Sequence, residues 1–557
     1  MDKLFKYTSL WFVVVVVLLT GLFVPYLMGN DANEYAAIAL RMHLDNDYVN
    51  IINRDYDYLD KPHILFWSAA LGYNLFGVHD WSYRLLSVIV CLAGAYATFR
   101  LGKTLYSDTV GKIAALMFIT AQAIQLGNHD VRTDALLTGF VVLSVWQFVE
   151  FVQAQKLKNI LLGAAALALA VGTKGMVAVL ITGSCIFFYI VSQKKWGVLL
   201  NWKWIAGILM FFLTLSPVLY CYYLQFDSHP EKLVDGRYGV SGIKFLLWTQ
   251  SFDRFAAAHS RGTNNPEFEF LYHSFLWSFL PWTFIALGAF FDRTKDFFKN
   301  KYRAFFSKEQ LTFLGTFVMF NIMSLSQFKL PHYMNVLFPM IAIGTAAFLV
   351  KKVEEDNAVW KKYFKISQVV IIAIILVVTI IINGWFFPVQ QFWIILVGII
   401  FVLLIYLTYR YSKGLMGVFW LPSLVAILMI NFFLNVNFYP RLAGYQTGST
   451  MAENIEREKI DWSQVYIYDR IFQPFDFYSA RINPQLNDAL LKAKIQDGEK
   501  IFLLVNEAGK KKISDQGIKF TQCMKTPDMN ITRLKIKFLN PSTRESTLKF
   551  AYLLEFN

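Results

Sequence analysis

The segment "GNDANEYAAIALRMHLDNDYVNIINRDYDYLDKPHILFW" begins just past a membrane-length apolar run and gathers Asp31, Glu34, Asp55, Asp57, Asp60 and Lys61. Carboxylates of this kind orient or deprotonate a nucleophile, and an ammonium group attracts a phosphate as a point charge. More polar groups stand at the edges of apolar runs. They are Arg84 in "SYRLLS", Asp134 in "RTDALLTGF", and Lys329 with His332 and Tyr333 in "SQFKLPHYMN". A long charged stretch, residues 225–270, adds Arg254, His259 and Arg261 and closes on "EFEFLYH".

The elements that must position these residues are membrane helices. Of the 557 residues 56% are apolar and only 17% charged, and mean hydropathy is +0.42; repeated apolar runs of about 20 residues read as spans. Thirteen helices are expected, at roughly 8–27, 82–101, 110–127, 133–152, 158–174, 176–193, 202–224, 271–291, 308–325, 332–350, 366–384, 391–409 and 415–434. The first run lacks a small-x-small cleavage site, so it is read as a retained helix. The formal charge of +14 sits on every second connection, and basic loops stay cytoplasmic. The N-terminus is therefore expected in the cytoplasm, and loops 28–81 and 225–270 outside. The charge orients the protein and does not imply nucleic-acid binding. The four cysteines are scattered and imply neither a disulfide framework nor a metal knuckle.

Within loop 28–81, "NEYAAIALRMHL" and "HILFWSAALGYNLF" are expected as two helices lying in the interface plane, with Pro62 opening the second. Tyr35, Ile38 and Met42 fall near one face of the first. Trp67, Tyr73, Trp81 and Tyr83 are the rings expected at headgroup level. After Pro440 the pattern changes. "DWSQVYIYD", "KIFLLV", "GIKFTQCM", "NITRLKIKFLN" and "TLKFAYLLEFN" read as strands, with "NEAGKKK" as a turn. The expected architecture is a polytopic all-α membrane unit, residues 1–440, followed by an outward-facing α/β domain, residues 441–557.

The motifs "DANEYAAIA", "YLDKPHILFW", "LFGVHDWSYRLLS", "RTDALLTGF" and "SQFKLPHYMNVLFP" together resemble the GT-C glycosyltransferases that use polyprenyl-phosphate sugars. The likeness is greatest to the aminoarabinose (lipid A) transferase branch, which is related to the protein O-mannosyltransferases. It implies transfer of a sugar, 4-amino-4-deoxy-L-arabinose or a relative, from a polyprenyl-phosphate donor to a lipid A-like lipid or glycan acceptor. The setting implied is the outer face of a bacterial inner membrane, with the C-terminal domain in the periplasm and the protein a monomer. The rival implication is a protein O-glycosyltransferase or an envelope polysaccharide transferase using the same donor class. A transporter is disfavoured, since its ionisable residues would lie at the bilayer midplane.

Carried over by position, the resemblance makes Asp31 and Asp134 the catalytic carboxylates, with Glu34 beside Asp31, and gives Lys61, Lys329, Tyr333 and Arg84 to the donor phosphate. All but Lys61 have a plainer reading. Asp31 and Glu34 fit a capping box; Asp134 fits a helix-terminus carboxylate paired with Arg132; Lys329 fits a snorkelling lysine; Tyr333 fits the aromatic belt; Arg84 fits a partner of the acidic loop. The family's double proline is "KPH" here, with His63 in the second place. Loop 225–270, with Arg254, His259 and Arg261, is expected either to close over the donor as a lid or to serve as a spacer. No cofactor is assigned. A divalent metal held by His259, His332 and Asp60 is a weak expectation, since none has metal-ligand spacing.

Overall fold

The computed structural model describes residues 7–28, 30–251, 267–411, 420–470 and 472–556. Eight helices among these are long and apolar enough to cross a membrane: Asp80–Leu105, Thr133–Ala154, Leu157–Lys174, Lys203–Asp227, Pro331–Glu354, Ala358–Phe386, Phe392–Tyr411 and Leu421–Ala443. Shorter apolar helices run over Tyr7–Phe23, Val177–Ser192 and Leu311–Leu325. Each corresponds to one expected window.

The other two windows each hold a helix broken in two. Window 110–127 splits into Asp108–Thr120 and Gln122–Gly127, and window 271–291 into Phe270–Ser278 and Thr283–Ser307. The breaks face each other. The Gln122 N–H donates to the Leu280 carbonyl at 2.9 Å, and Trp282 Nε1 donates to Thr120 Oγ1 at 3.2 Å. Backbone groups opened away from water need protein partners, and each interruption supplies them to the other.

Two glycines bring the site-bearing helices together. A Cβ on Gly139 would meet the Val90 carbonyl oxygen at 2.4 Å, and one on Gly94 would meet Gly139 Cα at 2.9 Å. Small residues allow this approach of helices Asp80–Leu105 and Thr133–Ala154, which sets the Arg84 end of one beside the Asp134 end of the other.

Loop 28–81 folds as helix Asn30–Asp45, a hairpin of β1 (Ile52–Asn53) and β2 (Tyr56–Asp57), and helix His63–Phe76 directly after Pro62. Both expected helices are present, but the apolar face of the first meets protein. Tyr35, Ile38 and Met42 are buried, and the Tyr35 and Phe66 rings meet edge-on at 5.8 Å. Tyr73 and Tyr83, expected in the aromatic belt, are core residues instead. Their hydroxyls donate to the carbonyls of Ala36 at 3.3 Å and Val131 at 3.0 Å, so burial of a polar tip is compensated.

The C-terminal part forms a five-stranded mixed sheet in the order β4-β3-β5-β7-β6. The strands are β3 (Val465–Tyr468), β4 (Gln485–Leu486), β5 (Ile501–Asn506), β6 (Thr521–Pro527) and β7 (Phe550–Phe556). β3 pairs in parallel with β4 and β5, and β7 antiparallel with β5 and β6. Two expectations are corrected. "NEAGKKK" is the start of helix Glu507–Asp515, whose first turn is capped by the Asn506 side chain accepting from the Gly509 N–H at 2.7 Å. "NITRLKIKFLN" is not a strand; it holds the short helix Ile536–Leu539. Residue 440 lies within helix Tyr439–Ala443.

The sheet domain is tied to the first loop. Arg54 pairs with the buried Asp476, Gln446 Nε2 donates to the Leu27 carbonyl at 3.1 Å, and the Tyr478 hydroxyl accepts from the Leu27 N–H and donates to Asp80, both at 2.7 Å.

Candidate active site

Three chain segments far apart in sequence meet at one membrane face. Asp134 lies in the first turn of helix Thr133–Ala154, where the unpaired N–H groups favour a carboxylate. Its Oδ1 accepts from Lys174 Nζ at 2.6 Å, and its Oδ2 stands 3.6 Å from His332 Nε2. The Lys174 ammonium also lies 4.2 Å from the Tyr333 ring centroid, within cation–π reach. Arg132, expected to pair with Asp134, turns instead to Asp31 at 2.8 Å and Asp130 at 3.1 Å.

Lys174 was absent from the residues singled out by sequence, and its signal was present. It is the lone charge in "LLGAAALALAVGTKGMVAVLITG", and an ionisable group in such a run needs a partner. The chain reverses at Gly175, whose φ is +77° and whose added Cβ would sit 2.3 Å from Gln250 Oε1. The positive φ calls for glycine there, and the Gln250 side chain packs into the space a Cβ would take. Gln250, from loop 225–270, in turn donates to the Asp60 carbonyl at 2.5 Å. The described part of that loop thus bridges the Lys61 and Lys174 neighbourhoods.

Beside Lys174 opens a pocket of about 120 Å³ with Lys174, Gln250, Ser251 and Tyr333 at its polar end and Leu180, Met319 and Met323 among its apolar walls. A charged head and a hydrocarbon tail would both find their environment there.

Asp31 is not a helix cap. Helix Asn30–Asp45 already includes it in the first turn, and its carboxylate is engaged by Arg132. Glu34, one turn on, accepts from Asn53 Nδ2 at 2.7 Å and lines a separate polar pocket of about 340 Å³ shared with Arg54, Arg470 and Asp528. Burial works against the Arg132 charge, but Asp130 and Asp31 outweigh it and raise its pKa. Burial pushes the Asp130 carboxyl up despite Arg132.

Lys61 is buried, pairs with the Asp60 carboxylate, and has its ammonium 6.0 Å from the Tyr35 ring centroid. Lys329 does not snorkel. It is wholly buried, and its ammonium donates to the carbonyls of Ser324 at 2.5 Å and Ser326 at 3.0 Å, which closes the end of helix Thr316–Leu325. Burial lowers its pKa. Since Ser326 lines the 120 Å³ pocket, Lys329 supports the wall of that pocket.

Arg84 is set apart from this group. Fully buried, it donates to the carbonyls of Pro25 at 2.6 Å, His129 at 2.8 Å and Leu22 at 3.1 Å, with Asp80 at 3.8 Å. Its Nε and Nη1 tie two backbone segments together, the end of the first helix and the turn before Asp134. His63 is buried with Nε2 2.8 Å from the Val49 carbonyl, and burial pushes its pKa down to about 4. Burial, helped by Arg84, pushes His129 down to about 3. Arg254, His259 and Arg261 lie outside the described residues. Among the described residues no three His, Cys, Asp or Glu side chains gather as a metal site; His332 is drawn to Asp134 and Asp60 to Lys61.

Comparison with known proteins now bears on this geometry. The Dolichyl-phosphate-mannose-protein mannosyltransferase family matches residues 60–221, which contain Lys61, Asp134 and Lys174. The undecaprenyl phosphate-alpha-4-amino-4-deoxy-L-arabinose arabinosyl transferase of Pseudomonas aeruginosa is 26% identical over 349 residues, 61% of this chain and 58% of that protein. An uncharacterized protein of Aquifex aeolicus is 24% identical over 333 residues, covering 58% and 61%. The match thus spans about three fifths of these curated relatives. The crystal structure of ArnT from Cupriavidus metallidurans bound to undecaprenyl phosphate superposes with a TM-score of 0.73 at 16% identity, over 98% of this chain and 97% of that one. The apo ArnT structure gives 0.72 at the same identity. The chain has the ArnT fold. It is a multi-pass membrane protein of that architecture, sheet domain included, and the resemblance carried by the five sequence motifs is met by both kinds of comparison.

Proposed function

We propose that this protein transfers a sugar, 4-amino-4-deoxy-L-arabinose or a relative, from a polyprenyl-phosphate donor to a phosphate of a lipid A-like acceptor. The setting is the outer face of a bacterial inner membrane, with the N-terminus cytoplasmic, residues 1–440 acting as the transferase and residues 441–557 as a periplasmic domain. The observation that carries the reading is the Lys174 cluster at the polar end of an apolar-walled pocket. The relatives' names supply the donor class, and the acceptor class follows from the resemblance of the sequence motifs.

In the reaction an acceptor oxygen attacks the anomeric carbon, the bond from that carbon to the donor phosphate oxygen breaks, and the electron pair leaves with the polyprenyl phosphate. Lys174 and Tyr333, with Lys61 nearby, stabilise the charge gathering on the departing phosphate, the point where fixed charges act most strongly. Asp134 orients Lys174 and is a positioning residue. Asp31 faces the sugar side, with Arg132 holding its carboxylate. Arg132 holds Oδ2 of Asp31 at 2.8 Å, which fixes the carboxylate and leaves Oδ1 to meet the acceptor. A phosphate acceptor needs no base, and the aminoarabinose transferase relatives favour that reading; the mannosyltransferase family match keeps the hydroxyl reading as the rival.

The test is transfer from radiolabelled undecaprenyl-phosphate aminoarabinose by protein in nanodiscs, offered lipid A or a Ser/Thr-rich peptide. Label on lipid A is expected. Label on the peptide alone would install the rival, and no consumption of this or any other polyprenyl-phosphate sugar would overturn both.

A further inference from the structure

The segment Arg533–Leu539, expected as a strand, is a loop and short helix set against the end of a membrane span. Phe538 is buried, packing edge-on against Tyr445 at 5.1 Å. Arg544 donates to the Phe386 carbonyl at 2.6 Å and lies 4.2 Å over the Phe387 ring. Phe386 ends the span Ala358–Phe386, and the next span starts at Phe392, so this part of the sheet domain sits at the depth where the helices leave the bilayer. It is also the face bearing the candidate site, because the same domain binds Leu27 just ahead of Asp31.

At that depth the segment presents an unusual surface. Ile536 is 81% exposed, next to exposed Lys535 and Lys537 and three residues from exposed Arg533. Among the described residues none of these three cations has an ion-pair partner. Phe392 is 77% exposed, and Trp385 and Trp393 are about half exposed, as rings at an interface are. A large exposed apolar side chain between unpaired cations would be unfavourable in water and is favourable at a charged lipid surface, where the apolar tip enters the acyl boundary and the ammonium groups meet headgroup phosphates.

We infer that Arg533–Leu539 is a bilayer-docking element through which the sheet domain grips anionic phospholipid headgroups of the leaflet facing the candidate site. Asp528–Thr532, immediately ahead, line the 340 Å³ polar pocket, so docking fixes one wall of that pocket against the membrane. The inference is independent of the sugar transferred.

The test places an environment-sensitive fluorophore at Ile536→Cys in a Cys523→Ser background, since Cys523 is the exposed cysteine, with the full chain in nanodiscs of phosphatidylglycerol or phosphatidylcholine. A blue-shifted emission quenched by spin-labelled lipid is expected in phosphatidylglycerol, and its loss in Arg533→Glu/Lys535→Glu/Lys537→Glu. Hydrogen exchange on the unmodified chain gives a second readout: amides 533–539 are expected to exchange at least roughly tenfold more slowly in phosphatidylglycerol than in phosphatidylcholine. Water-like emission without quenching, together with lipid-independent exchange, would overturn the inference.

Discussion

Arg84 and Lys174 are both buried cations at the same membrane face, and they do opposite things. Arg84 gives Nε and Nη1 to three main-chain carbonyls belonging to the end of the first helix and the turn before Asp134. Nothing about those partners can change without unfolding the backbone. Lys174 is held by side chains, the Asp134 carboxylate and the Tyr333 ring, and its neighbours line a cavity. Side-chain partners can yield to a ligand. A buried cation is therefore judged by what satisfies it as much as by its burial.

The comparison breaks first at Lys174. Lys174→Met should lower transfer per folded molecule by roughly a hundredfold to a thousandfold, the range for loss of a preorganised charge, and should also lower stability by about 3–5 kcal/mol because the buried Asp134 carboxylate loses its partner. Steady-state kinetics at matched protein levels would check it, and near-normal turnover would reduce Lys174 to the structural class of Arg84. Asp31→Asn comes next. A fall of about a hundredfold in kcat is expected, and a wild-type rate at saturating donor would mean that the carboxylate serves only to neutralise Arg132.

Arg84→Met should act on the other axis. Three carbonyls lose their donor at about 1–3 kcal/mol each when left buried, so the folded fraction should collapse in size-exclusion and thermal assays. The rate per folded molecule should stay within a few-fold.

The smallest effect sharpens the structural half through pH. His129 and His63 have folded pKa values pushed down to about 3 and about 4 from 6.5. Below 6.5 the unfolded chain binds protons that the folded chain refuses, so stability is present at neutral pH and is lost as pH falls. At pH 5 each should cost roughly 2 kcal/mol. His129→Gln and His63→Gln should flatten the fall in melting temperature between pH 7.5 and pH 5.

Much of this was legible in the chain, because hydrocarbon imposes its demands locally. Apolar runs fixed where helices form, and the acidic platform, the Asp134 helix start and the motif set followed from short stretches read in place. Helix Asn30–Asp45 and helix His63–Phe76 appear where the amphipathic pattern put them. The segments that depart from expectation are those where a cap or a distant contact overrides the local pattern, even the strict alternation of Leu534–Phe538. "NEAGKKK" becomes helical through the Asn506 cap, and "NITRLKIKFLN" is held by Phe538 and Arg544 against a distant span end.

What the sequence could not decide is which charges meet. Arg132 lies two residues from Asp134 and chooses Asp31, 101 positions away, while Asp134 takes Lys174, 40 positions away. Periodicity states which face of a helix is apolar; it does not state which helix stands opposite. That choice follows from the close packing at Gly94 and Gly139, the reversal at Gly175 and the docking of Tyr478 and Gln446 on Leu27. Charges in a low-dielectric interior pair with whatever those contacts bring within reach, so the tertiary structure alone made Lys174, a lone lysine in an apolar run, the centre of the candidate site.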